Sequence, residues 1–155
     1  MYYKPKHFSV KELVSKRHYE LYGEKSLRSL DAGLLIDLDI IREAVYGITG
    51  QGIIVNDWAW GGHYHESGLR TKGDEYYDPE SGHSYGRAFD IKLVNWLNGD
   101  FGEYDADWLR GLILELKEAG KLQYLSEIEL ETQNWLHVGS RNNPPNHKNL
   151  FVFNP

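Results

Sequence analysis

The spacing of hydrophobic residues predicts two long amphipathic helices. In the first, apolar residues recur at steps of four, three and four positions, which places one buried stripe on a helix from about Asp31 to Tyr46. Gly47 and Gly50 follow it as stop signals. The second helix is expected from about Asp105 to Gly120 and has a leucine-rich face. The stripe residues are Leu34, Leu38, Ile41 and Val45 in the first helix, and Leu109, Leu112 and Leu116 in the second.

A further helix is predicted near the N-terminus, where Ser9 and Glu12 match a capping box. In this motif each of the two side chains pairs with a backbone N–H group that the first helical turn leaves without a partner. Phe8 before the cap and Leu13 after it are placed to form a hydrophobic staple. The segment is expected to pack and to have no chemical role.

Alternation of apolar and polar residues predicts a strand from Gly86 to Leu93. Shorter apolar runs predict strands at 53–55, Ile128–Glu131 and Trp135–Val138, and an edge strand at Leu150–Phe153. Helices dominate before the first strand, and crossover helices do not separate most of the later strands. This order favours an α+β fold over a doubly wound sheet, and we expect one domain over residues 1–155.

The segment 56–82 is rich in glycine, aromatic and polar residues, a composition typical of long ordered loops that carry function. Its aromatic side chains either line a groove or pack within the loop, and the sequence leaves both alternatives open. His63 and His65 are expected in a solvated loop, and His18 at the surface.

Composition and charge limit the possible chemistry. The chain has 155 residues, seven His and no Cys, so a metal ion must be bound by His, Asp or Glu, and a Cys nucleophile is excluded. A net charge of −6 argues against nucleic-acid binding, which needs a basic face. The sequence contains no apolar run that suits a membrane span or a signal peptide. We therefore expect a monomer that is made in the cytoplasm and does not insert into membranes.

Three residues stand out as metal ligands. Asp90 lies within an apolar strand, where an unpaired carboxylate is costly, and His83 precedes it by seven positions. His137 lies within another apolar strand. Zn²⁺ accepts imidazole nitrogen and carboxylate oxygen, and a catalytic site with three protein ligands keeps a fourth position for water. We predict a zinc site at His83, Asp90 and His137, and the alternative is a hydrogen-bonded structural pair of His83 and Asp90.

These residues belong to a longer pattern, Ser-x-His-x-x-Gly-x-Ala-x-Asp at 81–90 followed by Trp-x-His at 135–137. The pattern resembles the zinc peptidases that include D-alanyl-D-alanine carboxypeptidases and phage L-alanyl-D-glutamate endopeptidases, whose fold the Hedgehog signalling domain shares. The segment 7–13 and the Ser-Gly-x-Arg at 67–70 are also similar to this family. The resemblance implies a small, mostly antiparallel sheet flanked by helices, with zinc at the sheet face. It also implies hydrolysis of peptidoglycan stem peptides.

The resemblance further implies roles for individual residues. Arg70 would bind a carbonyl or carboxylate of the substrate and stabilise the oxyanion, while Ser81 and Trp135 would contact the peptide. Compared with the pattern of this family, the segment 58–66 is an insertion before the Ser-Gly-x-Arg at 67–70. The substrate places the site of action at the cell wall, reached through a holin, lysis or a virion. Carboxypeptidase and endopeptidase both remain possible.

The general base is the least defined role. Many relatives have an acidic residue three positions before the last His, but this chain has Asn134, whose amide cannot accept and return a proton. We predict Glu131 as the base, with Glu129 and Glu127 as alternatives because strand alternation would place all three on one face. If none of them acts, the chain is a catalytically inactive zinc-binding module with a structural or binding role.

Overall fold

The computed structural model describes residues 2–93, 105–132, 134–140 and 150–154. Its α-helices are α1 (Val10–Leu13), α2 (Lys16–Tyr22), α3 (Ala32–Thr49) and α4 (Asp105–Glu118). Short 3-10 helices cover Gly23–Ser29, Trp58–Trp60 and Gly82–Tyr85. The strands are β1 (Ile53–Ile54), β2 (Ala88–Leu93), β3 (Glu127–Glu129), β4 (Leu136–Gly139) and β5 (Phe151–Phe153). Within these ranges, no helix is both long and apolar enough to cross a membrane.

The five strands form one mixed sheet in the order β1-β2-β4-β3-β5. The pairs β1–β2, β2–β4 and β3–β4 are antiparallel, whereas β5 runs parallel to β3. The predicted α+β class is confirmed. Each predicted strand is present, although β3 ends at Glu129, two residues before the predicted end.

Helix α3 begins and ends with well-formed caps. The side chain of Asp31 accepts a hydrogen bond from the backbone N–H of Leu34 at 2.8 Å. Gly50 adopts a left-handed conformation with φ 71° and ends the helix. The helix runs through Gly47, which was predicted as a stop, because a glycine ends a helix only where the chain turns left-handed. The prediction of Tyr46 as the last residue is therefore three residues short.

The hydrophobic core lies between one face of the sheet and helices α3 and α4. The predicted stripe of α3 is fully buried there, and the apolar residues of the strands meet it. The core positions of the strands are Phe89 and Ile91 in β2, Ile128 in β3, and Leu136 and Val138 in β4. Since side chains alternate along a strand, the residues between these positions point to the opposite face, called the polar face below.

Helix α2 was not predicted because it has no apolar stripe, and both Leu21 and Tyr22 are exposed. It nevertheless buries His18, which is 7% exposed and whose ring packs against Tyr22 with centroids 4.7 Å apart. Neither ring nitrogen of His18 has a hydrogen-bond partner within the described part of the chain. The expectation of a surface position for His18 is therefore wrong.

Candidate metal centre

A tight turn brings His83 to the polar face of the sheet. His83 lies in the 3-10 helix Gly82–Tyr85. Ser81 caps the start of this helix, because its side chain accepts a hydrogen bond from the backbone N–H of His83. Gly86 ends this helix with φ 65°, and a Cβ atom at this position would clash with the backbone of Ser29. Only glycine therefore permits the turn that leads directly from His83 into β2.

Asp90 and His137 reach the same place from the sheet itself. They are directly paired residues of the antiparallel strands β2 and β4. Both belong to the polar face, because their neighbours along each strand point into the core. The three residues predicted as metal ligands thus converge from one turn and two strands, although 54 positions separate His83 from His137.

The three inner atoms form a nearly equilateral triangle. Asp90 Oδ1 lies 3.0 Å from His137 Nδ1 and 3.3 Å from His83 Nε2, and the two nitrogens are 3.2 Å apart. A tetrahedral centre with metal–ligand bonds of about 2.0–2.1 Å has ligand–ligand distances of about 3.3 Å. The triangle therefore fits three ligands of one tetrahedral ion. It is the one such group that the described residues contain.

The outer nitrogen of each imidazole has its own acceptor. His83 Nδ1 lies 2.9 Å from the carbonyl oxygen of Gly68, and His137 Nε2 lies 3.1 Å from Glu127 Oε1. A carbonyl and a carboxylate only accept, so these outer nitrogens carry the protons. The lone pairs of His83 Nε2 and His137 Nδ1 can then face the centre, which is the arrangement found in histidine-ligated metal sites.

The charges at the centre are consistent with a cation site. Burial opposes ionisation of His137, but hydrogen bonds to Asp90 and Glu127 outweigh it and raise the pKa of His137 to about 9. Burial also opposes charge on Asp90, but the two histidines hold the pKa of Asp90 well below its ordinary value. Burial lowers the pKa of His83. Without a metal, His137 therefore carries a second proton on Nδ1, between Asp90 and His83, and a bound metal ion would take the place of this proton.

Arg70 supports Asp90 from the other side. Its Nη2 lies 3.2 Å from Asp90 Oδ2, and the guanidinium also donates to the carbonyl oxygens of Glu66 at 2.6 Å and Tyr76 at 3.2 Å. Asp90 can thus present Oδ1 to the centre while Oδ2 is held by Arg70. The insertion 58–66 does not remove Arg70 from the site. The expected contact of Arg70 with substrate stays a prediction.

Lys92 is a site residue that sequence reasoning missed. Its side chain is buried and donates to Val55 O at 2.9 Å, Ser67 Oγ at 2.6 Å and Asp90 O at 2.9 Å. The ammonium group also lies 4.3 Å from the ring centroid of Tyr64. Burial lowers the pKa of Lys92 to about 8. The sequence did contain a signal for this residue. Lys92 lies two positions after Asp90 in the same apolar strand, and a buried cation needs partners just as a buried carboxylate does.

The three candidate bases have different surroundings. Glu129 is 7% exposed, lines the same cavity as the triad, and has a pKa raised by burial. Glu127 is the acceptor of His137. Glu131 is exposed and has φ 63°, because β3 ends at Glu129 and the alternation stops there. The structure therefore brings Glu127 and Glu129 to the triad but leaves Glu131 outside it. Asn134 is also exposed.

The triad opens into a cavity of about 660 Å³, called the first cavity below. Ser81 and Trp135, both predicted as substrate contacts, line it, and so does Arg70. His63 and His65 are exposed, as expected for a solvated loop, and they also lie in the wall of this cavity. The remaining lining residues are Tyr64, Glu66, Ser67, Tyr76, Lys92, Glu129 and Phe153, together with the triad.

Comparison of the chain with protein-family models, curated proteins and solved structures gives no match. The geometry of the triad and the sequence motifs are thus the observations that indicate a possible metal site.

Proposed function

We propose that this chain is a zinc peptidase that hydrolyses peptide bonds in peptidoglycan stem peptides, with Zn²⁺ bound by His83, Asp90 and His137. One observation carries the proposal: the three donor atoms form a triangle of tetrahedral dimensions that faces a cavity. The zinc-peptidase motif at 81–90 and 135–137 supports the same conclusion, as does a sheet whose polar face presents the triad, in the manner of the DD-peptidase and Hedgehog fold. The substrate would place the site of action at the cell wall.

The donor set suits Zn²⁺ because it combines two imidazoles with one carboxylate and leaves room for a fourth ligand. When bound, zinc supplies Lewis acidity and lowers the pKa of the attacking water. Arg70 keeps Asp90 in a one-oxygen orientation, since its Nη2 holds Oδ2. Lys92 fixes the backbone of Asp90 by its bond to the carbonyl oxygen.

Glu129 is the side chain best placed to move the proton. It lines the cavity of the triad, and burial raises the pKa of its carboxyl group towards the range in which a general base is most effective. Glu129 would accept a proton from the attacking water and return it to the leaving amine. We propose Glu129 for this role in place of Glu131, whose exposed side chain lies outside the triad.

Metal content and peptide cleavage together test the proposal. The purified protein should bind one zinc ion per chain, and His83→Ala should abolish binding. Incubation with purified peptidoglycan, followed by mass analysis of the products, should show released peptides. Glu129→Gln should retain zinc and lose cleavage, while the matched variant Glu131→Gln should keep both.

Each remaining outcome has a definite meaning. Absence of bound metal in the wild type, with His83→Ala behaving identically, would overturn the proposal. Stoichiometric zinc without any cleavage would instead establish the alternative, a catalytically inactive zinc-binding module. Loss of cleavage in Glu131→Gln with full activity in Glu129→Gln would return the role of base to Glu131.

A further inference from the structure

A second cavity adjoins the first on the other side of His137. It has a volume of about 540 Å³ and extends towards the segment that contains Asp78 and Glu80. Three residues, Ser81, His137 and Phe153, line both cavities. The ring of Phe153 meets that of His137 edge-on, with centroids 5.6 Å apart. The two cavities therefore meet at these three residues, beside the triad, and together they are called the groove below.

Each half of the groove has the size of a binding site, since such cavities commonly measure about 300–1,000 Å³. The triad lies in the first half at its border with the second, because His83 and Asp90 line the first alone and His137 lines both. A peptide bond at the triad would thus have space on its N-terminal and on its C-terminal side. A site that only removes the last residue needs space for that one residue beyond the bond.

The charges along the groove disfavour a free α-carboxylate next to the triad. Asp78, Glu80 and Glu127 line the second half, where the basic side chains among the described lining residues are Arg87 and the shared His137. In the first half, Arg70 and Lys92 already donate to acceptors within the protein. A C-terminal carboxylate would meet net negative charge in one half and engaged cations in the other.

We infer that the chain is an endopeptidase whose groove binds an extended peptide on both sides of the bond that is cleaved, with an uncharged or cationic part of the peptide in the acidic half. This inference rests on the proposed function and selects the endopeptidase from the two activities that the sequence leaves open.

Two synthetic stem peptides test it in the zinc-loaded protein. Both contain the bond that the peptidoglycan digest identifies; one continues for two residues beyond the bond and ends in an amide, and the other ends one residue beyond it with a free carboxylate. The amidated peptide should be cleaved with a kcat/KM at least tenfold higher. Equal or faster cleavage of the free acid would overturn the inference and leave the proposed peptidase standing. Cleavage of neither peptide would overturn the inference, whereas the proposed peptidase is decided separately by the digest of intact peptidoglycan.

Peptide binding provides a readout that does not depend on turnover. Affinities are measured with Glu129→Gln and, as a second inactive form, with metal-free wild type. Removing the two residues on either side of the bond should weaken binding about tenfold in each case. Truncation that costs nothing on one side would show that only half of the groove is used, and would contradict the inference.

Charge reversal at Glu80 tests the acidic half in the same two backgrounds. Two peptides are compared, with glutamate placed directly before or directly after the bond that is cleaved. The peptide whose glutamate enters the acidic half should bind more weakly, and Glu80→Lys should raise its affinity about fivefold. Glu115→Lys, an exposed change in α4 that lies outside both cavities, is the matched control. If Glu80→Lys raises the affinity for neither glutamate-containing peptide, the acidic half does not hold the substrate.

Discussion

Glu127 holds the outer nitrogen of His137, so its replacement tests whether the triad is a metal centre or a set of ordinary hydrogen bonds. The contact joins Glu127 Oε1 to His137 Nε2 at 3.1 Å, and the side chain of Glu127 is only 12% exposed. Glu127→Ala removes the acceptor and its charge. Glu127→Gln keeps an oxygen that can accept the same bond but removes the charge.

The expected loss concerns metal affinity more than folding. Acceptors that hold metal-bound histidines typically contribute about 10–100-fold to metal affinity, or about 1.4–2.8 kcal/mol. Limited exposure leaves little water to replace the lost partner, so Glu127→Ala should lie near the 100-fold end. Glu127→Gln should lie near the tenfold end, because the Nε2–H of His137 still has an acceptor and the ring keeps its tautomer.

Zinc affinity is measured by competition with a chelating indicator at fixed pH, and thermal unfolding of the metal-free proteins shows that each variant is folded. Glu131→Gln serves as the control, since it removes an equal charge from an exposed residue two positions after the end of β3. The wild type and Glu131→Gln should bind zinc equally tightly. Glu127→Gln should bind it more weakly, and Glu127→Ala should bind it most weakly. The reasoning is refuted if Glu127→Ala binds zinc as tightly as the wild type.

Four further changes are tested through urea unfolding of the metal-free protein. Lys92→Met should lower the free energy of unfolding by about 2–5 kcal/mol, because it leaves three acceptors without their donor. Burial lowers the pKa of His18, so the unfolded state binds more protons and stability falls as pH drops below about 6.5. His18→Phe should remove up to about 1 kcal/mol of the difference between pH 7.5 and pH 5.5; an unchanged slope would contradict this. Gly68→Ala should cost about 3 kcal/mol or more and weaken zinc binding, since its Cβ would clash with the Leu13 carbonyl group. Gly47→Ala, with open space around it in α3, should instead stabilise by roughly 0.5–1 kcal/mol.

The triad could be predicted from sequence because its signals are local. Asp90 and His137 each interrupt an apolar strand, and a polar side chain in such a strand needs a partner. Alternation within β2 and β4 then fixes the face on which each one lies. The helix α3 was predictable for the same reason, since a repeat of 3.6 residues and a cap at Asp31 are both properties of a short stretch of chain.

The choice among the three candidate bases could not be made in this way because it depends on where β3 ends. Alternation extended to residue 131 would place Glu127, Glu129 and Glu131 on one face. The chain instead leaves the strand after Glu129 and adopts φ 63° at Glu131, so the last of the three is exposed. The burial of Glu129 in turn depends on the parallel strand β5, which pairs with it at Phe153. No local pattern contains this information.

The partners of the triad come from parts of the chain that are far apart in sequence. Gly68 and Arg70 belong to a loop that hydrogen-bonds to the backbone of Leu13 and His83, while Glu127 comes from β3. The orientation of each ligand is therefore set by tertiary packing, even though the ligands are visible in the sequence. A change in the packing of this loop should consequently alter metal affinity without touching a ligand. Gly68→Ala is the most direct case, because Gly68 accepts the hydrogen bond that fixes the tautomer of His83 and at the same time packs against the backbone of α1.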